Sequence, residues 1–92
     1  MSQLDAIHEA VRFMDGHLRD AITVGDVADS VGYSLFHFSR IFNRVVQHTP
    51  YDYLMRRRVS ESSYELVESE RLIIDIAYEY QFANPETFTR AF

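Results

Sequence analysis

The 92-residue sequence has no cysteine, no lysine and no tryptophan, and only three glycines and two prolines interrupt it. Without cysteine there is neither a disulfide nor a thiolate metal site, which suits a reducing compartment. Without lysine, all nine basic residues are arginine, whose planar fork favours bidentate contacts to phosphate or guanine over point-charge contacts. No apolar run approaches the roughly 18 residues of a membrane span, and no charged segment followed by an apolar one opens the chain, so a cytoplasmic protein with no membrane partner is expected. His8, His17, His37 and His48 form no His-x-x-x-His pair, and Asp15 and His17 would face different sides of a helix. No metal site, cofactor or catalytic residue is therefore expected, and no enzyme.

The chain does have large rings, 7 Phe and 6 Tyr, within an apolar content of 47%. That is enough for a core in one small domain, or in two very small ones sharing an element. The net charge of −5 argues against nucleic acid, but its distribution argues the other way: residues 1–35 carry −4, residues 36–58 carry +4 and residues 59–92 carry −5. No acid lies between Gly32 and Asp52.

The sequence also repeats once. Asp26-Val27-Ala28 followed by Phe38-Ser39-Arg40-Ile41-Phe42 returns as Asp75-Ile76-Ala77 followed by Phe88-Thr89-Arg90-Ala91-Phe92, at an offset of 49 to 50 residues. Two copies are too few for a solenoid, so one small module used twice is expected.

Periodicity makes every segment helical. Leu4, Ile7, Val11, Met14 and Leu18 form one face of a first helix weakened by Gly16, and Thr23 with Asp26 caps a second that ends at Gly32. Ser34 caps a third whose buried side is Phe38, Ile41, Phe42 and Val45. Thr49-Pro50 opens a long fourth helix to Glu68, with Tyr51, Leu54, Tyr64 and Val67 as apolar positions. Leu72 to Tyr80 reads as a fifth, with Ile73, Ile76, Ala77 and Tyr80 at helical spacing, and Asn84-Pro85 opens a sixth.

Ala28 and Gly32, set among Val27, Val31, Phe38 and Ile41, have the spacing of a helix-turn-helix, although an ordinary αα-corner uses the same residues. Burying the apolar side of the third helix leaves Phe36, His37, Ser39, Arg40, Asn43 and Arg44 outside. These are base-reading and phosphate-binding side chains: arginine pairs with guanine, asparagine with adenine, and an apolar group meets a thymine methyl.

At this point the chain resembles the AraC-type (arabinose-regulator) transcription factors. The carriers are Asp26-Val27-Ala28, Gly32-Tyr33-Ser34, His37 to Phe42, Thr49-Pro50-Tyr51 with Tyr53-Leu54, and Asp75-Ile76-Ala77 with Thr87 to Phe92. Arg57-Arg58 and the second unit are most similar to the stress and multidrug-resistance activators. The resemblance implies an all-α fold of two helix-turn-helix units joined by a linker helix: residues 1–48, 49–68 and 69–92. It implies double-stranded DNA as partner, bound by a monomer through helices in consecutive major-groove segments. Carried over, Phe36, Ser39, Arg40 and Asn43 would read one half of the site, and Pro85, Glu86, Thr89 and Arg90, with Asn84, the other. Arg44, Arg56 and Arg57 would meet phosphate.

The chain departs from the family pattern at Met55, where many members carry a basic residue, at Gln81, which replaces a turn glycine, and at Pro85-Glu86. Phe92 corresponds to Phe42, so the rest of the sixth helix and the family's seventh would lie beyond it, and the chain is expected to be a fragment of a longer protein. The second reading is a protein-interaction module that docks RNA polymerase through the acidic flanks and exposed rings, with DNA contact secondary.

Overall fold

A computed structural model of the chain describes residues 2–82. Its described part contains five helices: α1 (Gln3–Asp15), α2 (Val24–Ser30), α3 (Leu35–Val46), α4 (Pro50–Glu68) and α5 (Ile73–Glu79). The expected sixth helix, with Asn84 to Phe92, lies outside the described residues.

Local chemistry sets the helix starts. Ser2 accepts the Asp5 amide at 3.1 Å, Ser34 that of His37 at 3.1 Å, and Thr49 that of Asp52 at 3.1 Å ahead of Pro50. At α2 the capping box closes both ways, Thr23 accepting from the Asp26 amide and Asp26 from the Thr23 amide. Such caps typically contribute about 1 kcal/mol each.

The turn after α2 explains Gly32. The amide of Tyr33 donates to the Ala28 carbonyl and that of Gly32 to Asp29, both at 3.0 Å, with Gly32 at φ 75°. This is a Schellman motif, which requires a left-handed residue. The same motif closes α5: Phe82 donates to Ala77 and Gln81 to Tyr78, with Gln81 at φ 70°. At this turn the repeat is therefore a repeat of backbone geometry. At the second copy a side chain occupies the left-handed position at a cost of about 1 kcal/mol. The Gln81 amide offsets this by donating to the Arg19 carbonyl at 2.8 Å.

One core runs through all five helices: Ile7, Ala10 and Met14 of α1, Val27 and Ala28 of α2, Phe38, Ile41 and Phe42 of α3, Leu54 of α4, Ile76 and Ala77 of α5, with Leu18, Tyr80 and Phe82 from the connections. Each large side chain removed from water contributes about 1.5–3 kcal/mol. Several expected core positions lie elsewhere. α1 stops at Asp15, and Leu18 is buried from the following loop, while Leu4 and Ile73 are exposed. Val45 sits in the last turn of α3 and is 43% exposed, and Val46 packs on the core in its place.

The largest correction concerns α4. Tyr51, Tyr64 and Val67 are exposed, and the buried row is Pro50, Leu54, Arg58 and Ser62, continued by half-buried Leu66. These positions step by four, one stripe of a helix. Arg58 is only 6% exposed. Its Nε donates to the Leu18 carbonyl at 3.0 Å and its Nη2 to that of Asp20 at 2.8 Å, so it caps a loop that has no strand or helix to satisfy it. Burial pulls its pKa below the ordinary guanidinium value, and Tyr51 and Asp20 oppose that shift.

At the far end of α4, Glu65 accepts from Arg19 and Arg71, both at 2.7 Å, and from the Tyr80 hydroxyl at 2.8 Å. The Arg19 bond first, then that of Tyr80, hold the Glu65 carboxyl down to about 2. Burial, then the bond to Glu65, push the Tyr80 phenol up to about 12.

Two outcomes are expected. Replacing Arg58 by Met removes both charged donors from buried carbonyls and should cost about 3 kcal/mol, against about 1 kcal/mol or less for Arg57→Met at a half-exposed site, both measured by urea denaturation. Because the folded pKa of Glu65 is depressed, its contribution is complete above pH 4.5 and disappears as pH falls toward 2. With screening around the exposed arginines it amounts to roughly 1–2 kcal/mol, so wild type and E65Q should differ in stability at pH 6 and converge near pH 2.

Candidate nucleic-acid interface

The two sides of α3 differ sharply. Phe38, Ile41 and Phe42 are turned into the core, and the opposite surface presents Phe36, His37, Arg40, Asn43 and Arg44 exposed and Ser39 half-buried. The expected reading set of the first unit is thus brought together on one face. The helix dictates this arrangement, since residues 36, 40, 43 and 47 follow at steps of three and four.

Two ring contacts order this face. The Arg40 guanidinium lies over the Phe36 ring, 5.6 Å from its centroid, and His37 stacks on Tyr33 at 4.9 Å. Phe36 is itself 73% exposed, so the pair is held on the surface with no neighbour covering it. A cation–π contact at such a site contributes about 0.5–1 kcal/mol and limits the arginine's rotamers without neutralising it. Arg44 reaches Gln3 of α1 at 3.4 Å, and Gln47, left-handed at φ 70°, ends the helix while its side chain donates to the Arg44 carbonyl.

The arginines divide by partner. Among the described residues Arg40 and Arg44 form no ion pair with a carboxylate, whereas Arg12, Arg19, Arg56, Arg57 and Arg71 all do. Arg56 holds Asp52 at 2.8 Å, and His48 approaches the same oxygen at 3.0 Å. The bond from Arg56, ahead of the charges nearby, lowers the Asp52 pKa. Arg57 lies between Asp15 at 3.0 Å and Glu61 at 3.1 Å, and the Asp15 bond is the main cause of its raised pKa. The α4 cations expected at phosphate are therefore engaged within the chain. Asn84, Pro85, Glu86, Thr89 and Arg90 lie outside the described residues.

Two depressions flank the face. His37, Arg40, Asn43, Arg44 and Gln47 line a polar one. On the other side a largely apolar groove runs between the starts of α3 and α4, past Val24, Leu35, Phe36, Pro50 and Tyr51. Leu35 and Tyr51, both exposed, belong to this border and were not expected there. The visible sign was an apolar residue directly after each capping hydroxyl, at Ser34-Leu35-Phe36, and after Thr49-Pro50 at Tyr51. No described helix is long and apolar enough to cross a membrane.

Known proteins share these features. Residues 27–92 match the family described as Helix-turn-helix domain. The chain is 38% identical over 92 residues to the Right origin-binding protein of Escherichia coli, and spans 32% of that relative's length. It is 33% identical over 92 residues to the Regulatory protein SoxS of Escherichia coli, covering 86% of it. To the HTH-type transcriptional activator AarP of Providencia stuartii it is 32% identical over 90 residues, 98% of this chain and 67% of the other. A crystal structure of a transcriptional regulator from Chromobacterium violaceum, described by its AraC-type DNA-binding domain, superposes with a TM-score of 0.89 over 96% of this chain and 79% of that one, at 22% identity. At these identities along nearly its whole length, the chain belongs to the AraC-type helix-turn-helix family of DNA-binding transcriptional regulators.

Proposed function

We propose that the chain is the sequence-specific, double-stranded-DNA-binding part of a bacterial transcriptional activator, working in the cytoplasm and binding as one copy. The carrying observation is the outer face of α3, where two arginines that have no carboxylate partner among the described residues stand in a segment without acids. A solvated helix face would normally carry both signs of charge. This one leaves Arg40 and Arg44 available to an anion.

On this reading Arg40 pairs with a guanine edge, Ser39 and Asn43 hydrogen-bond neighbouring bases, and the Phe36 ring meets a thymine methyl beside them. Arg44 and His37, at the margins of the face, meet phosphate. Arg56 and Arg57 reach phosphate only by giving up Asp52, Asp15 or Glu61, so each adds less than Arg44 does. The second half of the site falls to Asn84, Pro85, Glu86, Thr89 and Arg90, where Glu86 accepts from cytosine and is repelled by phosphate. α4, with 19 residues, is about 28 Å long. That is close to the ~34 Å between successive major-groove segments on one side of the duplex, and supports two units addressing one face of DNA. The named activator among the relatives supports activation.

The competing reading, a module that docks RNA polymerase, draws on the exposed Tyr64 and Val67 of α4. Gel shifts at low salt separate the two, because a pure docking module retards no duplex.

Replacing Arg40 by Ala should cost about 1–3 kcal/mol on the preferred duplex and relax the preference at one base pair, whereas Arg44→Ala should weaken all sequences alike and reduce the salt slope by about 1. Titrations of both variants on selected and random duplexes at several salt concentrations check this. Equal losses on both duplexes for both variants would refute the assigned roles.

A further inference from the structure

α5 is a poor candidate for holding its own position. It has seven residues, its N-cap Leu72 offers no side-chain acceptor, and its anchors Ile76, Ala77, Tyr80 and Phe82 are apolar contacts that fix depth better than angle.

A closed ring of four side chains supplies the missing direction. Arg19, in the loop after α1, donates Nη2 to Glu65 Oε2 at 2.7 Å, and its Nε forms an ion pair with Glu79 Oε1 at 2.7 Å. Arg71, in the α4–α5 link, donates Nη1 to Glu65 Oε1 at 2.7 Å, and its Nη2 forms an ion pair with Glu79 Oε2 at 2.5 Å. Each guanidinium thus spans both carboxylates, and each carboxylate uses separate oxygens for the two guanidiniums. The ring joins the loop after α1, the last turn of α4, the α4–α5 link and the last residue of α5. Two further bonds tighten it, from the Tyr80 hydroxyl to Glu65 at 2.8 Å and from the Gln81 side chain to the Arg19 carbonyl at 2.8 Å. Arg19 also lies over the Tyr80 ring at 5.0 Å.

An isolated surface ion pair contributes little to stability. A forked, closed arrangement has another property, because planar guanidiniums satisfied at two points accept only a narrow range of relative orientations. The ring is neutral as a whole, and loss of any member leaves an unbalanced charge and two open forks.

We propose that Arg19, Glu65, Arg71 and Glu79 form a positioning device that fixes the angle of the second helix-turn-helix unit on the linker helix, and so sets which separation of half-sites the chain accepts. This rests on the DNA reading above. One base pair of extra separation moves the second groove segment by about 3.4 Å and turns it by about 35°, and an apolar contact alone tolerates such a change far better than a forked ring.

The test has two arms. The chain has no cysteine, so spin labels at Arg12→Cys on α1 and Tyr78→Cys on α5 report the distance between units without DNA. The labelled parent should give one narrow distance distribution, and E65Q, E79Q and Arg71→Lys broad ones. Arg71→Lys keeps the charge and loses the fork, so a stabilising but non-directional ring would leave its distribution narrow. E79Q serves beside E65Q because it leaves the Tyr80 bond to Glu65 in place, and circular dichroism confirms that each variant is helical.

In the second arm, duplexes selected by the parent chain from a random library are re-made with the spacing between the two sub-motifs lengthened or shortened by one base pair. The parent should discriminate against them about tenfold or more, equivalent to about 1.4 kcal/mol, and the ring variants should lose most of that discrimination while selecting the same sub-motifs. Narrow distances in the variants, or unchanged discrimination, overturn the proposal. A parent chain that selects no duplex overturns the DNA reading and with it the spacing role, and the label distances show whether the ring itself orients the unit.

Discussion

A single buried guanidinium organises the molecule. Arg58 projects from the inward row of α4 and satisfies two carbonyls of the loop between α1 and α2, which leaves that loop and the linker helix one relative position. The helical repeat carries the consequence outward. Arg57, one residue before, meets Asp15 at the start of the loop, and Glu65, seven residues on and nearly in line with Arg58, meets Arg19 at its far side. Tyr53, one turn earlier, also reaches Asp15. The loop is gripped along its length by one helix, and burying a charge is tolerated because hydrogen bonds are complete on the side where water is excluded. α5 is tied to the same loop, since Arg19, between the Leu18 and Asp20 carbonyls that Arg58 holds, pairs with Glu65 of α4 and Glu79 of α5.

The parts legible in the sequence were those decided within a few residues. Capping hydroxyls at Thr23, Ser34 and Thr49, proline at the first position of α4 and the turn at Gly32 act locally, and the structure places them as read. The outer face of α3 was legible for a related reason: three buried apolar residues at helical spacing define their complement. What was hidden depends on neighbours distant in sequence. Periodicity made Tyr64, Val67 and Val45 apolar faces, but only the tertiary arrangement decides whether anything covers such a face. Arg58 reads as a surface charge because no apolar pattern marks the row it shares with Leu54 and Ser62. The ring was invisible for the same cause, its partners Arg19 and Glu65 being 46 residues apart.

The two Schellman turns show how a duplicated unit diverges without losing shape. Hydrogen bonds equivalent to those at Ala28, Asp29 and Gly32 recur at Ala77, Tyr78 and Gln81, so the backbone answer is preserved while the residue best suited to it is not. Glycine at Gln81 would relax the turn but would have no side chain to reach Arg19. The second copy accepts local strain in return for a tie to the first.

On the DNA reading proposed above, the segregation of charge along the sequence bears on how the chain would approach DNA as well as on how it would rest there. An acidic molecule with one cationic stripe is repelled by a polyanion in most orientations and attracted in one, and within the Debye length of about 10 Å at 0.1 M salt that difference acts as a torque. On the reading proposed above, encounters leading with the acid-free α3 would be prolonged relative to those leading with the acidic segments that flank it in sequence. Among the described residues only Arg40 and Arg44 are exposed arginines without a carboxylate partner, so on the proposed reading even correctly oriented encounters on the wrong sequence would be brief. The binding mode proposed above would therefore sample DNA by many short visits rather than by long sliding contacts.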